Sequence, residues 1–169
     1  PYHRFRFDST KTETIEMRRI VQERPTRRRG EHVRVKAVVL LCSDPGFKAP
    51  LKALMRLLEV RSGEGDMPSV AGGVRDIASP SNDGDRAYVL GQIEKAVRLH
   101  HAGQVILTNH ADCGAYGYLQ FKNEEDERQF YAEDLRKAEK VLRDHLRGIG
   151  LKPAISKYFL DFHGALEIR

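Results

Sequence analysis

The sequence predicts an α/β protein with a mainly parallel central sheet, flanked by helices and carrying an antiparallel edge. Three observations point there. Two almost unbroken apolar, β-branched runs, residues 35–42 and 104–109, read as strands buried on both faces, as in parallel sheets. Segments with apolar residues at helical spacing alternate with them, the pattern of strand-helix-strand units. The tail alternates around residues 155–160 and again around 165–168, with His163-Gly164 between, which reads as a closing strand pair at the sheet edge.

Taken in order, residues 1–34 form a basic arm ahead of a single domain over residues 35–169. The arm holds ten Lys and Arg against five Asp and Glu, whereas the remainder holds nineteen of each, so the net charge of +5 resides in the arm. Ser9 or Thr10 is placed to cap a short helix carrying Ile15, Ile20 and Val21, which Pro25 ends. Arg27-Arg28-Arg29 has no interleaved aromatics. This fits a solvated or subunit-contacting arm better than one that binds nucleic acid through phosphate contacts.

The first strand, residues 35–42, ends at Cys42, where Ser43-Asp44-Pro45-Gly46 breaks the run. Pro50 suits the first turn of a helix with Leu51, Leu54 and Leu58 on one face, running to Gly63. Residues 67–73 predict a second short strand entering the turn Ala71-Gly72-Gly73, then a polar loop whose Asp85 caps a helix over residues 86–101. Leu90, Ile93 and Val97 stripe that helix, Gly103 stops it, and the strand 104–109 ends directly at His110. The longest helix covers residues 124–147. It has an acidic first turn, one face of Tyr131, Leu135, Ala138, Leu142 and Leu146, and a stop at Gly148 and Gly150.

Composition narrows the function classes. With 40% apolar and 31% charged residues, and a longest apolar run far below the ~20 residues of a membrane span, the chain is expected to be soluble. Its first residues lack a secretory apolar stretch, so the expected location is the cytoplasm. Two cysteines cannot build a disulfide framework at this length and are free for metal or chemistry.

In open α/β sheets ligands bind beyond the carboxyl ends of the strands, where Cys42, Asp44, His110 and Cys113 are predicted to meet. Thiolate sulfur and imidazole nitrogen are the usual ligands of zinc, and three protein ligands with an open fourth position are the arrangement of a catalytic site. The spacing alone leaves a second reading equally open, in which both cysteines are buried small hydrophobes and His110 merely ends a strand.

Cys42-Ser43-Asp44 at the end of one apolar strand and His110-Ala111-Asp112-Cys113-Gly114-Ala115 at the end of a later one resemble the β-class carbonic anhydrases. The Ala71-Gly72-Gly73 turn falls where that family has its own glycine turn, so the resemblance covers roughly residues 35–118, with the closing strands looking like the family's C-terminal end. It implies zinc on Cys42, His110 and Cys113, with Asp44 as the acidic partner beside the metal. It also implies a zinc lyase of the carbonate dehydratase type, hydrating CO₂ to bicarbonate, or turning over carbonyl sulfide or carbon disulfide, through a zinc-bound hydroxide. Members of the family pair through their N-terminal arms, so a homodimer or higher homo-oligomer wrapped by residues 1–34 is implied as well.

The chain departs from the family around the substrate. Pro45 and Gly46 stand where the family continues with Ser and an Arg that grips the aspartate, the glutamine preceding the first strand is missing from Glu31-His32-Val33, and the glycine turn lacks its flanking Arg and Asn. Asp44 is therefore expected either to close the site as a fourth zinc ligand or to be held by a substitute cation, for which Arg75 and Arg86 are the candidates. A closed site implies the alternative function, a non-catalytic member of the fold with a binding or structural role. Asp112 is a candidate for contact with the ligands, Tyr116 and Tyr118 for lining the pocket, and His100 and His101 for proton transfer.

Overall fold

The computed structural model describes residues 32–169, which form one compact unit. The helical, dimer-wrapping arm expected over residues 1–34 lies outside the described residues up to residue 31. The elements run β1 (Ala37–Cys42), a 3-10 turn (Pro45–Phe47), α1 (Lys48–Leu57), β2 (Gly65–Asp66), β3 (Ser69–Val70), α2 (Arg75–Ala78), α3 (Asp83–His100), β4 (Gln104–His110), a second 3-10 turn (Gly114–Tyr116), α4 (Glu124–Gly148), β5 (Ala154–Asp161) and β6 (Gly164–Glu167).

The sheet order is β2-β1-β4-β5-β6, with β3 also paired to β1. Every pairing is parallel except the closing β5-β6 hairpin. β1 and β4 are apolar throughout because both faces are covered. Val38, Leu40, Val105 and Leu107 pack with the buried faces of α3 and α4, while Ala37, Val39 and Ile106 pack with Leu54 and Met55 of α1. The register pairs Ala37 with Gln104 and Leu40 with Leu107, so Cys42 and His110 arrive together at one end of the sheet.

Four local readings need correction. The strand expected over residues 67–73 is only Ser69–Val70; a separate two-residue strand, Gly65–Asp66, precedes it on the same edge of β1, and Pro68 between them has no N–H to continue a ladder. α1 stops at Leu57 rather than near Gly63. Glu59 adopts a left-handed φ of 54° and the Val60 N–H returns to the Met55 carbonyl, which tucks Val60 into the core. The cap of α3 is Asn82, whose side chain accepts the Asp85 N–H at 3.0 Å, so Asp85 sits in the first turn instead. His101, left-handed at φ 51°, ends that helix ahead of Gly103. Among the described residues, no helix is long and apolar enough to cross a membrane.

Candidate metal centre

Cys42 comes from the end of β1, His110 from the end of β4, and Cys113 from the short loop that follows it. Their two sulfurs and a ring nitrogen of His110 all lie within 4.8 Å of one another, a group able to hold a metal ion. The sulfurs are 3.9 Å apart. His110 Nδ1 lies 2.7 Å from the Ala111 carbonyl, an acceptor only, so this nitrogen carries the proton and Nε2 keeps its lone pair. Nε2 is buried and has no hydrogen-bond partner. A buried, unpartnered imidazole nitrogen costs free energy unless something accepts its lone pair, and a cation between it and two sulfurs does so.

The glycine turn supports the group from below. Gly72 N–H donates to Cys42 Sγ at 3.3 Å. Gly73 has φ +57° and a Cβ there would stand 2.5 Å from the Thr108 carbonyl of β4, so only glycine lets this turn lie against the strand end. These contacts set the charges. The Cys113 thiol beside it, opposed by burial and helped by His110 and the backbone N–H groups, pulls the Cys42 thiol from 9.0 down to about 3. Cys113 is pushed up by that neighbouring sulfur and by burial. Burial alone would lower His110, but its contact with the Cys42 sulfur raises it above 6.5.

A pocket of about 100 Å³ opens beside the group, lined by Cys42, Asp44, Phe47, Lys48, His110 and Leu160 among others. Pro45-Gly46-Phe47, where the departure from the family pattern lies, is a single 3-10 turn. Asp44 caps it, its Oδ1 accepting the Gly46 N–H at 2.7 Å. The turn delivers Phe47 to stack on His110, with ring centroids 4.3 Å apart. Phe47 was not singled out in the sequence; a proline-led turn directly after the first ligand was the available signal. Asp44 shares the pocket but is not in the three-residue donor group.

The substitute cations are elsewhere. Arg75 pairs with Asp76 at 2.8 Å and reaches Ser81, and Arg86 donates to the Ile77 carbonyl. Lys48 is the cationic side chain that lines the pocket with Asp44. Tyr116 and Tyr118 are not among the pocket's lining residues. Tyr116 packs edge-on against Tyr131 and Phe130, and Tyr118 is exposed. His100 bridges Asp66 and the Val33 carbonyl, and His101 serves as the helix stop. Asp112 stands between two of the donors with φ 50°, its N–H bonded to Glu127.

No family model matches the sequence, and no curated protein matches it. Solved structures do match the fold. A β-carbonic anhydrase of the filamentous fungus Aspergillus fumigatus aligns over 87% of this chain and 95% of its own, with TM-score 0.55 and 14% identity. A carbonic anhydrase from Glaciozyma antarctica aligns over 81% and 84%, with TM-score 0.51 and 15% identity. A β-carbonic anhydrase from Trichomonas vaginalis aligns over 82% and 85%, with TM-score 0.51 and 11% identity.

Proposed function

From the premise that this chain has the β-carbonic anhydrase fold, we propose that it binds zinc through Cys42, His110 and Cys113 and hydrates CO₂, or a linear relative such as carbonyl sulfide or carbon disulfide. The observation that carries the proposal is the buried, unpartnered Nε2 of His110 within reach of two sulfurs, at the wall of a small pocket. Cys42, His110 and Cys113 would hold the zinc, and its chemistry, when bound, would be to lower the pKa of a water towards ~7 and so supply a nucleophile at neutral pH.

The remaining work falls to the chain's own groups. Leu41, Phe47, Leu51 and Leu160 give the pocket an apolar wall suited to a small uncharged molecule. Thr108 and Asn109, also lining it, have their polar atoms engaged: Thr108 Oγ1 donates to the Leu40 carbonyl, and the Asn109 amide accepts from His110 N–H and donates to Tyr116. Asp44 has Oδ1 fixed by Gly46 N–H, which leaves Oδ2 to accept a hydrogen bond from a hydroxyl in the pocket and orient it. Lys48 offers positive charge to an anionic product.

Stopped-flow CO₂ hydration by zinc-loaded protein tests this reading. Turnover that disappears in Cys42→Ser and His110→Ala, and falls at least tenfold in Asp44→Asn, is the expected result. Zinc-loaded protein that turns over none of the three substrates from neutral to alkaline pH overturns it.

A second reading is favoured by one observation: among the described residues no arginine or lysine lies within salt-bridge distance of Asp44, whose only hydrogen bond is to Gly46. A carboxylate so lightly held is free to become a fourth zinc ligand, giving a closed site with a binding or structural role. X-ray absorption at the zinc edge separates the two, because Asp44→Asn changes the coordination only in the closed site. We also read the protein as a homodimer formed with the help of residues 1–34, a reading supported by the exposed Leu57 and Phe162; sedimentation velocity of the full chain and of one lacking residues 1–31 tests it.

A further inference from the structure

The loop that carries His110 and Cys113 is too short to hold itself. Between the two donors Asp112 takes a left-handed φ of 50°, a backbone conformation that residues with a side chain rarely adopt, and Gly117 turns left-handed again at φ 84°. Contacts from outside the loop hold it in this shape. Two side chains of α4 do so, and they sit one helical turn apart, on the same face. Glu127 Oε1 accepts the Asp112 N–H at 2.6 Å, and the Tyr131 hydroxyl accepts the Cys113 N–H at 3.3 Å. A third anchor closes the loop on its strand, where Asn109 donates to the Tyr116 hydroxyl at 2.8 Å while its carbonyl oxygen takes the His110 N–H.

We infer that α4 is the positioning element of the metal centre, with Glu127 and Tyr131 holding the Asp112 and Cys113 amides so that Cys113 is presented to the ion in its ligating orientation. The inference rests on the metal reading proposed above and names residues outside the donor set. The two contacts differ from the ordinary packing of α4. Leu135, Ala138, Leu142 and Leu146 fill the core under the sheet, whereas Glu127 is only half-buried and its carboxylate is spent on one backbone amide of the ligand loop. Tyr131 does both jobs, its ring buried among Tyr116, Phe130 and Phe159 and its hydroxyl aimed at Cys113.

The geometry also says what replaces what. Gln keeps an oxygen in the place of Glu127 Oε1 and can accept the same N–H, whereas Ala cannot. Phe keeps the Tyr131 ring and its packing but removes the acceptor. The experiment compares the full-length wild type with Glu127→Ala, Glu127→Gln and Tyr131→Phe. Zinc affinity is measured by competition with a chromophoric chelator, and the cobalt-substituted proteins are compared by their visible absorption and thiolate-to-metal charge-transfer bands. Partners of this kind around a metal typically change affinity 10–100-fold. Glu127→Ala and Tyr131→Phe are expected to weaken zinc by about that range and to shift the cobalt spectrum, with Glu127→Gln restored to within a few-fold of wild type. Far-ultraviolet circular dichroism at the assay temperature identifies any variant that has lost its fold, and the half-exposed Glu127 pair then decides.

If wild type binds zinc and both Glu127→Ala and Tyr131→Phe bind it equally well with an unaltered cobalt spectrum, the inference fails and the metal reading stands. If Glu127→Gln is as impaired as Glu127→Ala, the acceptor role assigned to Oε1 fails. A wild type that binds neither ion overturns the metal reading and the inference with it.

Discussion

His110 is restrained at one ring nitrogen, at one ring face and at its backbone, and Nε2 alone is left without a partner. Its Nδ1 faces the Ala111 carbonyl, Phe47 lies against its face, and its backbone N–H is taken by Asn109. Removing the stack tests how much of this order the site needs: Phe47→Ala is expected to weaken zinc several-fold while leaving the fold intact by circular dichroism. The charges predict a pH profile. Cys113 is raised, so it favours its protonated form, and an ion must displace that proton to bind. Apparent zinc affinity should therefore climb with pH, by about tenfold per pH unit for each proton released, and calorimetry in buffers of different ionisation enthalpy counts the protons directly. An affinity flat between pH 6 and 9 would contradict the assignment. Gly73→Ala meets a backbone carbonyl and a left-handed φ together, so it should cost about 2 kcal/mol or more in urea unfolding and weaken zinc through the shifted Cys42 neighbourhood.

The elements were legible to different depths, for physical reasons. β1, β4 and α4 could be read in the sequence because burial on both faces, or a long apolar stripe, leaves a pattern too extended to arise by chance. β2 and β3 could not, since a two-residue strand has no period. Cys42 and His110 were legible as strand ends and Cys113 as a neighbour in the following turn, though their spacing left the metal reading level with a buried-hydrophobe one and only the family resemblance favoured it. Phe47 and Glu127 were not, since nothing in their immediate neighbours states that one will stack on a ligand and the other will hold a loop fifteen residues back. Tyr131 was read as part of an apolar face, which hid the use of its hydroxyl. Two further expectations belong to α4. Asn123 caps it by accepting the Asp126 N–H at 2.9 Å, so Asn123→Ala should lower stability by about 1 kcal/mol in chemical denaturation. Glu139 joins the helix to β5 through Lys157 and also binds Arg143. Burial works against ionisation of Glu139, but these two cations hold its carboxyl below 4.5. With the folded value depressed, its contribution is present above the unfolded value and is lost as pH falls through the folded one. Glu139→Gln should thus cost about 1 kcal/mol near neutrality and converge on wild type in acid, as urea midpoints at pH 3 and pH 7 would reveal.

For the whole molecule, the site is assembled from segments that meet only in the finished sheet. Cys42 and Cys113 lie 71 residues apart, and the parallel pairing of β1 with β4 brings them together. An unfolded chain has no such arrangement, so zinc held at the proposed site would favour the native state and stabilise it by mass action. Free zinc at a hundredfold excess over its dissociation constant should add about 2.7 kcal/mol, or roughly 5–10 °C in the melting temperature of a chain this size, and the increment should vanish in Cys113→Ser.

The place of β4 in the sheet sets an order of events during synthesis. Its second neighbour is β5, residues 154–161, which leaves the ribosome some forty residues after Cys113. Until then the strand that ends in His110 has one bare edge. A soft or abundant metal encountered at that stage finds no cage to favour it. If the proposed site holds a metal, the choice of ion falls to the completed sheet and not to the growing chain.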